Sequence, residues 1–135
     1  MRKYRKRLIR EKAVIATYQK LLVDTSEEEI KEYLNSDKEL CADRSDYDYC
    51  LLMITSIVNK IGKYQDEVAK HLKKNWSVDR LSKIELAILI VACYELLETD
   101  QSREIIINEA VELSKKYCDN DSYKFINGLL NKVVK

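Results

Sequence analysis

The feature that most narrows the fold of this chain is its shortage of turn formers: no proline and two glycines, Gly62 and Gly128, in 135 residues. Strands linked by tight turns draw on residues that preset φ or tolerate positive φ, so this shortage favours helices joined by short polar connections. Hydrophobic residues make up 46% of the chain and charged residues 35%. That is too apolar for disorder, and the length suits one domain with its own core.

The spacing of apolar residues predicts about seven helices. The first runs from about Tyr4 to Val23. The second opens with Ser26 and Glu29 in capping-box spacing and buries Ile30, Tyr33 and Leu34. Residues 36–45 are polar and read as a loop. A third helix from about Asp46 aligns Cys50, Ile54, Ile57, Val58 and Ile61, with Gly62 at its end. A short fourth presents Tyr64, Val68 and Leu72 and leads into a connection with Trp76. The fifth starts at Ser82 with Glu85 three residues on. From Ile84 to Leu97 its only charges are Glu85 and Glu95, so it is the helix the others pack against. The sixth follows Ser102 and sets Ile106, Ala110, Leu113 and Tyr117 in register. The seventh follows Asn120-Asp121-Ser122 and buries Phe125 or Ile126, then Leu129, Leu130 and Val133. The expected fold class is all-α, a compact single-domain helical bundle over residues 1–135.

The net charge of +1 conceals an uneven distribution. Residues 1–12 hold seven basic side chains against Glu11, whereas Asp24 to Asp48 hold ten acids against three bases. On a helix advancing 100° per residue, Lys3, Lys6, Arg7 and Arg10 share about a quarter of the circumference. Four cations on one ridge can each meet a phosphate and release counterions. The same helix carries packing residues such as Ile9, Ala13 and Ala16, which a merely solubilising tail does not need. Ser122-Tyr123-Lys124-Phe125 forms a second candidate element. Helix-start N–H groups can receive an anion there, Lys124 adds charge, and a ring can stack on an unpaired base. The alternative is that Phe125 is core and Tyr123 an ordinary surface tyrosine.

Catalytic and metal-binding patterns are missing. His71, the one histidine, sits among Lys70, Lys73 and Lys74 and reads as part of a solvated face, a poor general base. No nucleophile elbow, phosphate-cradling loop, dinucleotide fingerprint or zinc-protease motif occurs. Cys41, Cys50, Cys93 and Cys118 are widely and irregularly spaced. Cys50 and Cys93 fall within apolar helical patterns, which points to buried free thiols and a reducing cytoplasm rather than disulfides or metal ligands. The expectation is a cytoplasmic protein with no cofactor, no metal and no catalytic residue. The apolar run Leu86–Tyr94 is too short to cross a bilayer, and the N-terminus lacks the apolar stretch of a signal peptide.

Three segments together resemble the NusB family of transcription antitermination factors. They are Arg10-Glu11-Lys12-Ala13-Val14-Ile15-Ala16-Thr17-Tyr18, the stretch from Trp76-Ser77-Val78-Asp79-Arg80-Leu81 through Ile84-Glu85-Leu86 to Tyr94-Glu95-Leu96, and Ile107-Asn108-Glu109-Ala110-Val111-Glu112-Leu113-Ser114-Lys115 followed by Lys124-Phe125-Ile126-Asn127-Gly128-Leu129-Leu130. The resemblance implies two packed three-helix units plus a further helix. It implies a partner, NusE, the ribosomal small-subunit protein, and a single-stranded boxA element of nascent ribosomal RNA leaders as ligand. With other Nus factors and the RNA polymerase elongation complex, the pair would suppress premature termination. By match to the family's motif, RNA contacts fall on Lys6, Arg7, Arg10, Lys124 and Phe125, with Asp121 nearby, and Lys3 extends the same ridge. Contacts to NusE fall on Tyr18 and Glu85, although Tyr18 also fits a packing role and Glu85 also completes a capping box. Three positions depart from the family. Ile90 stands where an arginine is frequent and Ile15 where a glutamine is frequent. Gln101 to Glu104 lack the usual proline. The first two departures remove polar groups that could have met RNA or a partner. Two rival readings are a protein-binding scaffold of the same fold without RNA affinity, and the RNA-binding appendage of a ribosomal RNA methyltransferase.

Overall fold

A computed structural model describes residues 3–135, with side chains from Arg5 onward. The described residues form eight α-helices and one 3-10 turn, joined by short connections: α1 (Lys3–Leu22), α2 (Glu27–Asn35), α3 (Lys38–Cys41), α4 (Arg44–Asn59), α5 (Ile61–Lys70), the turn Val78–Arg80, α6 (Lys83–Glu98), α7 (Arg103–Tyr117) and α8 (Ser122–Leu130). The two spaced Ser/Glu pairs form the capping boxes their sequence predicts. Ser26 with Glu29 starts α2 and Ser82 with Glu85 starts α6, each hydroxyl accepting the glutamate N–H while the carboxylate accepts the serine N–H.

Two expectations need correction. The polar stretch 36–45 is not all loop. Asp37 accepts the Leu40 N–H at 2.9 Å and caps α3, a single turn that inserts Leu40 into the core with no exposure. One buried leucine is worth about 1.5–3 kcal/mol, enough to hold a turn that composition alone would leave open. Gly62 does not end α4. The break falls at Lys60, whose N–H donates to the Ile57 carbonyl, and Gly62 sits in the first turn of α5 with ordinary negative φ.

Helix α6 lies at the centre. Leu86 to Cys93 are all buried, because α1, α4, α5, α7 and α8 all pack on it. Helices α1–α4 pack mainly on one another, α7 and α8 pair with each other against α6, and α1 joins the two groups through α6 and through ion pairs to α7. Within α4, Cys50, Ile54 and Ile57 are fully buried, and in α8 Ile126 rather than Phe125 occupies the core position. The four cysteines are free, and burial pushes the Cys50 and Cys93 thiols up to about 12, which keeps them protonated. Among the described residues no helix is long and apolar enough to cross a membrane.

One ion pair ties α1 to this framework in a pH-dependent way. Lys12 Nζ lies 2.7 Å from Asp37 Oδ2. That hydrogen bond, then the Leu40 N–H, hold the Asp37 carboxyl below its ordinary value of 3.8. A carboxyl depressed in the folded state takes protons more readily once unfolded, so its contribution is complete above the ordinary value. It is lost as pH falls through the depressed one. Stability is therefore expected to decline as pH drops below about 4, and Lys12→Met should shrink that decline. Thermal midpoints of both proteins, followed by circular dichroism between neutral and strongly acidic pH, check this; superimposable acid limbs would refute the assignment.

Candidate nucleic-acid interface

The basic helix packs against α6 and α7 with a definite polarity. Lys6 Nζ donates to Gln101 Oε1 at 2.7 Å and Arg10 Nε to Glu95, so α1 runs antiparallel to α6. Arg7 reaches Glu109 and Lys116 reaches Glu11, so α7 runs parallel to α1. These contacts create a cleft of about 270 Å³ at the N-terminal ends of α1 and α7, lined by Lys6, Arg7, Gln101, Ile105 and Asn108.

The predicted ridge of four cations divides here. The Lys3 side chain lies outside the described residues. Lys6 is partly exposed and Arg7 has a 66% exposed side chain, so both reach the cleft mouth. Arg10 does not stand beside them in solvent. Its side chain is 6% exposed, and its Nε lies 2.7 and 3.0 Å from the two carboxylate oxygens of the equally buried Glu95. Helical periodicity put Arg10 at the right angle, but that part of the helix surface is covered by α6 and α7. Glu109 sits between the arginines, 2.8 Å from Arg7 Nε and 3.8 Å from Arg10 Nη1. The arrangement is a graded one: a buried ion pair at the floor, a shared carboxylate above it, and two accessible cations at the rim.

The second set of expected residues gathers at the other end of α6. Glu85 Oε1 serves the cap at Ser82, while its Oε2 accepts the Ser122 hydroxyl at 2.7 Å and ties the start of α6 to the start of α8. Asp121 precedes α8 and makes no side-chain cap; it is almost fully exposed, with Lys124 Nζ 3.9 Å from its Oδ1. Lys124 projects into solvent, and Phe125 is partly buried against the core. Tyr123 carries Lys115 and Lys124 over its ring, at 5.0 and 6.0 Å. Tyr18 is partly buried against the core. It lies two helical turns beyond Arg10, toward the Glu85 end of the antiparallel α6.

Lys6 and Arg7 are thus at one end of the bundle and Asp121, Lys124 and Phe125 at the other. The 16 residues of α6 between them measure about 24 Å. A strand at the 3.4 Å spacing of stacked nucleotides needs about seven residues to cover that length. Ile90, where an arginine is frequent, is completely buried, so its departure takes nothing from an RNA surface. His71 also departs from expectation. It is not on a solvated face: its side chain is 15% exposed and its Nε2 lies 2.8 Å from Glu67. Gln101, Asn108 and Glu109, which share the cleft with Lys6 and Arg7, were missed as site residues. Glu109 stands inside the recognised Ile-Asn-Glu-Ala stretch, but nothing in the linear order pairs it with Arg7.

The NusB family model matches residues 7–135. The chain belongs to the NusB family. The transcription antitermination protein NusB of Macrococcus caseolyticus is 42% identical over 83 residues, a stretch covering 62% of this chain and 63% of that protein. NusB of Ligilactobacillus salivarius is 35% identical over 109 residues, 81% of this chain and 80% of the relative. Among solved structures, T. maritima NusB superposes with a TM-score of 0.84 at 31% identity, covering 98% of this chain and 91% of that one. A structure of antitermination factors NusB and NusE in complex with dsRNA gives a TM-score of 0.82 at 25% identity, with 96% of both chains covered. The eight-helix architecture is therefore that of NusB structures, and the expected all-α class is the observed one.

Proposed function

We propose that this protein is a transcription antitermination factor. With NusE it binds the boxA element of nascent ribosomal RNA leaders, and with other Nus factors it helps the RNA polymerase elongation complex resist premature termination. The observation that carries this reading is the match to NusB antitermination proteins along nearly the whole chain, joined to the exposed Lys6–Arg7 rim. The rim supplies charge for phosphates and hence affinity without sequence choice. Lys124 and Phe125 supply a cation and a ring for an unpaired base at the far end. Tyr18 on α1 and Glu85 near the start of α6 are the proposed contacts to NusE. The action is binding and tethering: a composite surface holds one strand more tightly than either protein does by itself.

The test is binding of a labelled boxA single strand, followed by anisotropy across a salt series, with this protein, with NusE, and with both. The pair is expected to bind more tightly than either component, with affinity falling linearly in log salt. The NusB–NusE structure named above contains double-stranded RNA, so an unlabelled duplex of the same sequence serves as competitor. Partner binding with no RNA affinity at any salt would favour the scaffold reading, and efficient displacement by the duplex would overturn the single-strand preference.

A further inference from the structure

Beyond Phe125, on the side facing the α5–α6 connection, lies a groove of about 580 Å³ that none of the expected site residues explains in full. Its floor is apolar, formed by Leu81, Leu129 and the bare backbone of Gly128. Trp76 borders it with 46% of its surface in solvent, so part of the ring is available to an occupant. Arg80 sits over the indole, 5.3 Å from its centre. The rim carries Lys73, Arg80, Lys124 and Lys132 against one carboxylate, Glu85, which is already committed to Ser82 and Ser122. An occupant complementary to this groove is flat and apolar on one part and anionic on another.

We propose that the groove binds a nucleobase of a single-stranded RNA, stacked on the exposed part of the Trp76 ring, with the neighbouring phosphates held by Lys73, Lys124 and Lys132. This rests on the RNA-binding reading above and extends it: the strand does not end at Phe125 but continues around α8 to the α5–α6 connection. The charge balance favours RNA over a protein segment, because the cations ring the groove where a sugar-phosphate backbone would pass. Stacking tolerates any base, so the site adds affinity and length to the footprint more than sequence choice.

Trp76 is the sole tryptophan, so its emission reports on this groove directly. The experiment titrates the full chain at low salt with a labelled single-stranded RNA of about ten nucleotides, within the usual footprint of such sites. Anisotropy of the label and emission of Trp76 are read together. Quenching that follows the anisotropy curve is expected. Trp76→Ala should weaken binding about tenfold and Trp76→Phe should restore most of it, the scale of one stacked base. Lys73→Ala with Lys132→Ala should reduce the salt dependence. If RNA binds with unchanged Trp76 emission and the Trp76→Ala protein binds as tightly as the parent, the groove proposal falls while the RNA reading stands. If anisotropy rises neither with the chain alone nor with NusE added, both fall. Quenching by NusE in place of RNA would also overturn it and make the groove a protein-docking surface.

Discussion

Replacing Arg10 with alanine is expected to destabilise the fold by about 3–5 kcal/mol, the cost of leaving a buried charge without its partner. Glu95 is 4% exposed and takes both of its close hydrogen bonds from Arg10 Nε. For a chain of this size that corresponds to a fall in Tm of roughly 10–20 °C. Arg10→Met together with Glu95→Leu should recover most of the loss, since a buried ion pair and a well-packed apolar pair of similar volume are often close in free energy. Denaturant unfolding of Arg10→Ala and of the double variant decides the matter. A single Arg10→Ala variant as stable as the parent would show that Glu95 reaches water and that the burial argument is wrong. On the proposed reading Arg10 serves RNA binding through its neighbours, by holding Glu95 and steadying Glu109 under Arg7. Its loss should therefore lower RNA affinity chiefly as the fold loosens.

Removing Lys6 and Arg7 together is expected to do the opposite: little change in stability and a 10- to 100-fold loss of RNA affinity at low salt, the scale of two charge-assisted contacts. Arg7 is largely exposed and Lys6 makes one hydrogen bond to a neutral amide, so few folded-state contacts disappear. The slope of log affinity against log salt should flatten by about 0.7 per lost contact to a single strand. Glu109 adds a second arm to this experiment. Its carboxylate now holds Arg7 at 2.8 Å and competes with any phosphate for the same guanidinium. Glu109→Gln keeps a hydrogen-bond acceptor but removes the charge, so that variant should bind RNA several-fold more tightly. A double alanine variant with the parent's salt slope would take the rim out of the interface altogether.

The two ends of α6 give the proposed interface its scale. Since about 24 Å separates the Lys6–Arg7 cleft from Lys124 and Phe125, a mutation at one end is expected to leave the other able to bind. Effects of variants at the two ends are expected to add, because the sites share no side chain.

Much of this was written in local chemistry. Capping boxes need partners three residues apart, so Ser26 with Glu29 and Ser82 with Glu85 announced their helices without help from the rest of the chain. The same holds for α6, whose nearly uncharged circumference requires neighbours on all sides wherever they come from. The family resemblance was legible because its motifs lie in those same helices. What the tertiary structure alone decided was exposure and pairing. Periodicity gives a residue's angle around its own helix and is silent on what covers that angle. Arg10 and Arg7 share a face, yet one is sealed under α6 and α7 and the other stands in solvent. Their acids, Glu95 and Glu109, lie 85 and 102 residues from the arginines whose Nε they bind. Leu40 likewise turned a polar stretch into a helix because a core gap awaited it, and His71 found Glu67 where charge counting saw only lysines. Local bonds act over three or four residues and can be read along the chain. Burial and long-range ion pairs depend on which surfaces meet, and the order of residues does not state that.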